Sequence, residues 1–430
     1  MNIVLINHYA GSVDMGMEFR PYYMAKEWIR HGHRVDIIAA DYSHLRQKNP
    51  KVARDWQEEV IDGIHYHWIR TISYEGNGVK RAITMFQFVG KIWLRAKWIA
   101  KRWKPDVIIT SSTYPLDTYA GQRIKKYRTA EQKRAERIPK TVRGGVILIH
   151  EVHDMWPLSP VVLGGMSEKH PFIQMMQAAE NSFCRKSDRV VSLLPYAKKY
   201  FAAHGMGPEK FYTIANGVVV EDWENPEPLP KPLRIKLSKW KEEEKFILCF
   251  FGSHTSSYNL DNLIRAVKQL PDERIQVLFV GEGTYKKHLQ KMAAEDSKTK
   301  SRFWFHPYIP KRSIPSLIQQ VDGVYIGIQP CILQKYGICM NKLFDAMMGG
   351  KPILFSAAFP NNYVNQYQCG ITVAPEDTAG LTEAIKRLRD MSEEERECMG
   401  ENGRRAVKEE FTYDRLAEQF EKVFNGFLSV

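Results

Sequence analysis

Where the run Gly145-Val-Ile-Leu-Ile-His150 passes into Glu151-Val-His-Asp154, two histidines and two carboxylates gather at the end of a short, buried-strand pattern. A neutral imidazole can bond a ligand hydroxyl, and a neighbouring carboxylate can orient the ring or take a hydroxyl proton. His153 and Asp154 are the expected pair; His150 reads as a strand-end histidine satisfied within the fold, and Glu151 and Trp156 rank below them. A second stretch, Asn341-Lys-Leu-Phe-Asp-Ala-Met-Met-Gly-Gly-Lys-Pro352, predicts a helix beginning near Asn341. Its first turn would offer unpaired N–H groups and the positive end of the helix dipole to a diphosphate, and Lys342 adds a full charge. Asp345, one turn on, either accepts hydrogen bonds from a ligand or complements the dipole. The loop Gly252-Ser-His-Thr-Ser-Ser257 follows an apolar run and suits close backbone approach to phosphate through Gly252, Ser253 and His254. Gly281-Glu-Gly-Thr-Tyr-Lys286 also has a G-x-G form, but a strand-ending turn accounts for it equally well.

These residues need elements to hold them. Ile3–Ile6, an apolar-periodic segment from Phe19 to His31, and Arg34–Ala40 have the spacing of a βαβ unit with parallel strands. Asp106–Thr110, Gly145–His150 and Arg189–Leu194 repeat the strand pattern. A proline-rich, charged stretch, 221–244, reads as a linker. The pattern then restarts with Lys245–Phe251, a helix Leu260–Leu270, and strands at Gln276–Val280, Gly323–Gly327 and Pro352–Phe355, and the chain ends in a helical stretch, Thr412–Leu428. The expected class is α/β: two Rossmann-like, doubly wound domains, 1–220 and 245–411, with the last helix, about 412–430, packing back on the first. Ligands of such folds bind at the carboxyl ends of the strands, here expected in a central cleft.

Four ordered stretches, Met17–Val35 with its Gly32-His33-Arg34-Val35 turn, Glu151–Pro160, Ile214-Ala-Asn-Gly-Val218 and Asn341–Pro352, together resemble family 4 of the retaining glycosyltransferases of GT-B fold, in its bacterial polysaccharide-assembly branch. The resemblance runs from about residue 1 to 420. It implies a nucleoside diphosphate sugar as donor, most simply a UDP-sugar, and a lipid-linked or saccharide acceptor. It also implies a carboxylate on the donor ribose at Asp345, a histidine and aspartate serving the reaction at His153 and Asp154, and a first domain that binds the acceptor. Relatives often carry two glutamates with seven residues between them. Asp345 stands at the second place, but Gly337 stands at the first, so either Gly337, Ile338 and the loop around them meet the sugar through backbone amides or the donor sugar differs from the commonest ones. Many relatives also have an arginine and a lysine near 252–257, whose absence shifts the phosphate charge onto Lys342 and His254. Near the amino terminus Gly16 suits close approach, and Glu18 and Arg20 either hold acceptor or phosphate groups or form a surface ion pair. No D-x-D motif is seen, and neither metal nor other cofactor is expected.

Six cysteines lie far apart without a C-x-x-C pair, as packing residues in a reducing compartment would. The opening MNIVLINHY enters a strand directly, fitting a cytoplasmic start. A net charge of +13 favours an anionic partner. From Met85 to Trp103 apolar residues recur at helical spacing among Lys91, Arg95, Lys101 and Arg102, and 122–137 is basic again. Such a helix either lies on an anionic membrane, at the inner face of the cytoplasmic membrane, or packs on the sheet with its bases in water. Nucleic acid is the less favoured anion. Two other readings remain open on the sequence: a nucleotide-sugar 2-epimerase, and a non-catalytic basic protein of the same fold that binds membrane or nucleic acid.

Overall fold

The computed structural model describes residues 1–16, 19–76, 78–135 and 145–428. The chain divides into two compact units, one of 1–215 with 413–430 and the other of 216–412.

In the first unit eight strands form one sheet: β1 Asn2–Ile6, β2 Arg34–Ala40, β3 Gln57–Ile61, β4 Ile64–Ile69, β5 Val107–Thr110, β6 Ile147–Val152, β7 Arg189–Ser192 and β8 Phe211–Thr213. Their order is β3-β4-β2-β1-β5-β6-β7-β8, parallel throughout except for the β3–β4 hairpin at the edge. Ile3–Ile6 and Ile147–Ile149 are fully or almost fully buried, as strands covered by helices on both faces must be. The two-residue turn Asp62-Gly63 joins β3 to β4 with both residues at positive φ, 50° and 81°, the backbone that matches the twist of a tight hairpin. Because β2 lies on one side of β1 and β5 on the other, the winding reverses between β1 and β5, and the loops after β1, β5 and β6 emerge together at their carboxyl ends.

The helix Val79–Trp103 buries Met85, Val89, Ile92, Ala96, Ile99 and Trp103, the periodic set of the sequence, and Phe88 with them, in the core of this unit. The last helix, Tyr413–Leu428, belongs to the same unit. Phe420 meets the edge of the Trp28 ring at 5.3 Å, Tyr413 lies 4.9 Å from Tyr23, and Glu421 bonds His31 at 2.6 Å.

The second unit holds a six-stranded parallel sheet: β9 Phe246–Phe251, β10 Ile275–Val280, β11 Phe303–His306, β12 Gly323–Gly327, β13 Ile353–Ser356 and β14 Gly370–Val373, in the order β11-β10-β9-β12-β13-β14. Its winding reverses between β9 and β12, so the loop after β9 leaves the sheet at a switch point. The stretch read as a linker, 221–244, is not one: it is part of this unit and contains the helices Glu221–Glu224 and Lys231–Glu242, the second of which buries Leu233, Leu237 and Trp240. Its charged residues occupy the exposed face and hid an apolar set spaced at four and three residues. No helix of the described residues is long and apolar enough to cross a membrane.

Candidate functional site

In the second unit, the helix Asn341–Met348 has Met340 at its N-cap and no side chain capping its first turn, so its leading N–H groups have no intrahelical acceptor. Lys342 extends from that turn toward the loop after β9. Among the described residues its Nζ is buried without a hydrogen-bond partner, 3.5 Å from the centroid of the Tyr258 ring and 4.3 Å from that of Phe250. Desolvation lowers its pKa to about 7. A Cβ on Gly252, at φ +127°, would come within 2.7 Å of this Nζ, and one on Gly281 would strike the Gly252 carbonyl oxygen at 2.0 Å, so both positions require glycine. A buried, unpaired amine beside an uncapped helix start and a bare turn is suited to an anion with several oxygens.

Of the other residues expected here, Ser253 is exposed in the same loop and Asn341 is exposed at the helix start. His254 is fully buried, with neither ring nitrogen bonded; burial, followed by the charge of Lys286, pushes its pKa down to about 4. It therefore supplies no positive charge near neutral pH, contrary to the sequence expectation. Asp345 is buried on the same helix, with Oδ2 at 3.9 Å from Lys311 Nζ. Burial raises its pKa, Lys311 opposes the shift and Asp222 adds to it. The loop before the helix differs from the expectation too. Gly337 N–H is bonded to the Gln334 carbonyl at 2.9 Å, while Asn361 takes both the N–H and the carbonyl of Ile338, each at 2.8 Å. These two amides are spent inside the loop and do not meet a sugar in this arrangement. Asn361, which pins them, carries no local motif that would mark it in the sequence.

In the first unit, the carboxyl ends of β1, β5 and β6 bring together Asn7, Ser111, Glu151 and His153. Glu151 is 3% exposed and accepts from four groups: Arg20 Nε at 3.0 Å and Nη2 at 2.9 Å on Oε1, Ser111 Oγ at 2.6 Å and His153 Nε2 at 3.1 Å on Oε2. Burial alone would raise its pKa, but Arg20, then His153 and the Ser111 hydroxyl, outweigh it and hold the carboxyl well below its ordinary range. Arg20 also donates to the carbonyls of Ile214 and Ala215. It is thus an internal tether rather than a surface side chain, with Nε, Nη1 and Nη2 each directed at a buried acceptor. Its expected partner Glu18 lies outside the described residues. Gly16, at φ +69°, ends a short turn packed on Gln47.

His153 Nε2 also lies 2.8 Å from Ser111 Oγ. Asp154 has local duties: its Oδ1 accepts from Met155 N–H and from Ser159 Oγ, both at 2.7 Å, tying down the loop before the helix Leu158–Val162. His150 bonds Thr110 Oγ1 at 2.7 Å and stacks on Phe183, with its pKa driven down to about 3 by burial. Sequence reasoning passed over Ser111, Ser112 and Asp117. Asp117 is fully buried, accepts from Ser112 N–H at 2.9 Å, and has its pKa raised by burial to about 7. The polar run Ser111-Ser112-Thr113 directly after an apolar strand was the available signal.

The family model described as "Glycosyltransferase Family 4" matches residues 15–222, and that described as "Glycosyl transferases group 1" matches 234–406. An uncharacterised glycosyltransferase of Methanocaldococcus jannaschii is 24% identical over 250 residues, 57% of this chain and 60% of that protein, so the match spans less than two thirds of the relative. Among solved structures, the sucrose-phosphate synthase of Thermosynechococcus elongatus superposes with a TM-score of 0.70 at 17% identity, over 100% of both chains. HepE of Anabaena, solved in complex with UDP-glucose, gives 0.64 at 15% identity over 99% of each. The two family models divide the chain as its two sheets do, and with the fold they identify it as a member of glycosyltransferase family 4 with the GT-B architecture.

Proposed function

We propose that the protein transfers a sugar from a nucleoside diphosphate donor, a UDP-sugar foremost, to a lipid-linked or saccharide acceptor with retention of configuration and without a bound metal, in the assembly of a cell-surface polysaccharide. The observation that carries this reading is the Lys342 amine, buried and without a hydrogen-bond partner beside Gly252 and the uncapped start of Asn341–Met348. A diphosphate there would give the amine the partner it lacks and would accept from the first-turn N–H groups. As the glycosidic bond to phosphate breaks, charge grows on the leaving oxygen, and fixed donors already aimed at it lower the barrier without reorganising. Positioning and charge stabilisation then carry the reaction, and no protein nucleophile is needed. Asp345 takes the ribose diol. UDP-glucose bound to HepE, a protein of the same fold, supports the choice of nucleotide.

A membrane workplace is supported by the outer face of Val79–Trp103. Val79, Ile83, Phe86, Trp93, Leu94 and Trp98 are exposed there, Leu94 by 74%, spaced three, four or seven apart except for the adjacent Trp93 and Leu94, with exposed Lys97, Lys101 and Arg102 among and beyond them. On the next helix, Thr118–Ala135, the Arg123 guanidinium lies 3.3 Å from the Trp93 ring centroid. An apolar stripe bordered by bases suits an anionic lipid interface, with the protein at the inner face of the cytoplasmic membrane. Residues 136 and 137 of the basic stretch lie outside the described residues.

Calorimetric titration with UDP tests the donor site. Micromolar binding that drops at least tenfold in Lys342→Ala is the expected result; equal binding by the two proteins would remove the basis of the reading.

A further inference from the structure

Glu151 is buried with Arg20, while the His153 side chain keeps 13% of its surface exposed against 4% for Glu151, so the histidine is the member of this network that reaches outward. Among the described residues the hydrogen bonds of the imidazole are both made by Nε2, to Glu151 Oε2 at 3.1 Å and Ser111 Oγ at 2.8 Å. The donor count fixes the proton. Ser111 Oγ lies 2.6 Å from Glu151 Oε2 and spends its one hydrogen on that carboxylate, so toward His153 it can only accept. The carboxylate also only accepts. Nε2 must therefore carry hydrogen, and in the neutral ring the lone pair falls to Nδ1.

We infer that Glu151 is a positioning residue that fixes the tautomer of His153: when the ring carries a single proton, that proton is on Nε2, and Nδ1 is presented as an acceptor to a substrate hydroxyl. Arg20 makes the lock one-directional. Its Nε and Nη2 both donate to Oε1, which holds the carboxylate ionised and leaves Oε2 turned to His153 and Ser111. Asn7 Nδ2 donates to the Ser111 carbonyl at 2.7 Å and keeps that hydroxyl in place. A ring so held offers a hydroxyl the nitrogen that can orient it or take its proton, and the partner of the remote nitrogen decides which tautomer is present. The inference rests on His153 serving a substrate hydroxyl, as in the function proposed above.

The Glu151→Gln variant has a definite sign. Arg20 needs an acceptor, so the amide oxygen will face Arg20 and the amide NH2 will face His153 and Ser111. Nε2 must then accept, and the ring should switch to Nδ1–H. Nitrogen-15 correlation spectra of the His153 ring at pH 8, in the full-length protein, read this directly. The wild type should show Nε2–H and the variant mainly Nδ1–H, with turnover of UDP-glucose falling at least tenfold while its KM stays within twofold. A wild-type Nδ1–H ring would overturn the lock without any variant, which covers the case in which Glu151→Gln does not fold. An unchanged tautomer or unchanged kcat in a folded Glu151→Gln protein would overturn it equally. His153→Ala separates the two levels: full turnover in that variant would remove the histidine's role in the reaction, while the ring spectra would still decide whether Glu151 sets the tautomer.

Discussion

Lys342 Nζ sits 3.5 Å from the centre of the Tyr258 ring, buried, with no hydrogen-bond partner among the described residues. The ring face offers some attraction to a cation, but desolvation dominates and brings the amine's pKa down to about 7. Free protein therefore loses this charge as the pH rises through about 7, whereas a bound diphosphate retains it, so binding above that pH takes up a proton. Affinity for UDP-glucose, whose diphosphate does not titrate in this range, should weaken between pH 7 and 9 with a slope approaching tenfold per unit. Lys342→Ala should bind weakly and without that slope. The stability linkage has its own sign: between about pH 7 and 10.5 the unfolded chain binds the extra proton, so stability rises with pH there, and the burial cost is fully felt below about 7. Lys342→Met should accordingly raise Tm at neutral pH while abolishing donor binding. Calorimetry across the pH series and thermal scans check both.

Asp345 lies on the same helix, but its carboxylate is near Lys311, so in the proposed function it serves a different part of the nucleotide from Lys342. Asp345→Asn should weaken UDP by roughly 10- to 100-fold, the range for losing hydrogen bonds to a charged acceptor. A 2′,3′-dideoxy UDP analogue should bind wild type and variant alike. If the variant loses the dideoxy compound as strongly as UDP, the carboxylate acts on something other than the ribose.

Leu94 is the test of the membrane face because it is exposed by 74% and lies outside the buried set of its helix. Leu94→Glu should leave folding stability within about 0.5 kcal/mol. Its co-sedimentation with vesicles containing anionic phosphatidylglycerol should nonetheless fall severalfold, with little retained on neutral phosphatidylcholine in either protein. Equal sedimentation with both vesicle types would sink the lipid assignment.

Trp28, 1% exposed, is covered by Phe420 and Phe424 of the last helix. Trp28→Ala should cost about 3–5 kcal/mol, as large-to-small changes in a packed core do. Removing 413–430 should destabilise the first unit comparably. Denaturant unfolding curves give both numbers.

Apolar strands were the most legible part of this chain, because a parallel strand buried on both faces is apolar at most positions: Gly323–Gly327 has the bounds read from sequence, and so does Arg34–Ala40 despite its Arg34 and Asp36. The β3–β4 hairpin escaped notice although Asp62-Gly63 marks its turn, since Gln57–Ile61 is an exposed edge strand carrying Glu58 and Glu59. Lys231–Glu242 was lost to its prolines and charges, which occupy its first turn and outer face while Leu233, Leu237 and Trp240 are inside. At the candidate sites the residue types were legible and their duties were not. Arg20 and Glu151 are 131 positions apart, so nothing local shows that each neutralises the other. The engagement of Ile338 by Asn361, and the absence of a hydrogen-bond partner for Lys342 Nζ among the described residues, are likewise products of tertiary packing.

The central claim, sugar transfer from a nucleoside diphosphate donor, is tested most directly by a proton NMR time course of the purified protein with UDP-sugars and no acceptor. The account predicts slow appearance of free UDP and of the sugar first in the anomeric form it had in the donor, abolished by Lys342→Ala. A donor converted to its 2-epimer, or one left intact and unbound over the whole course, would contradict it.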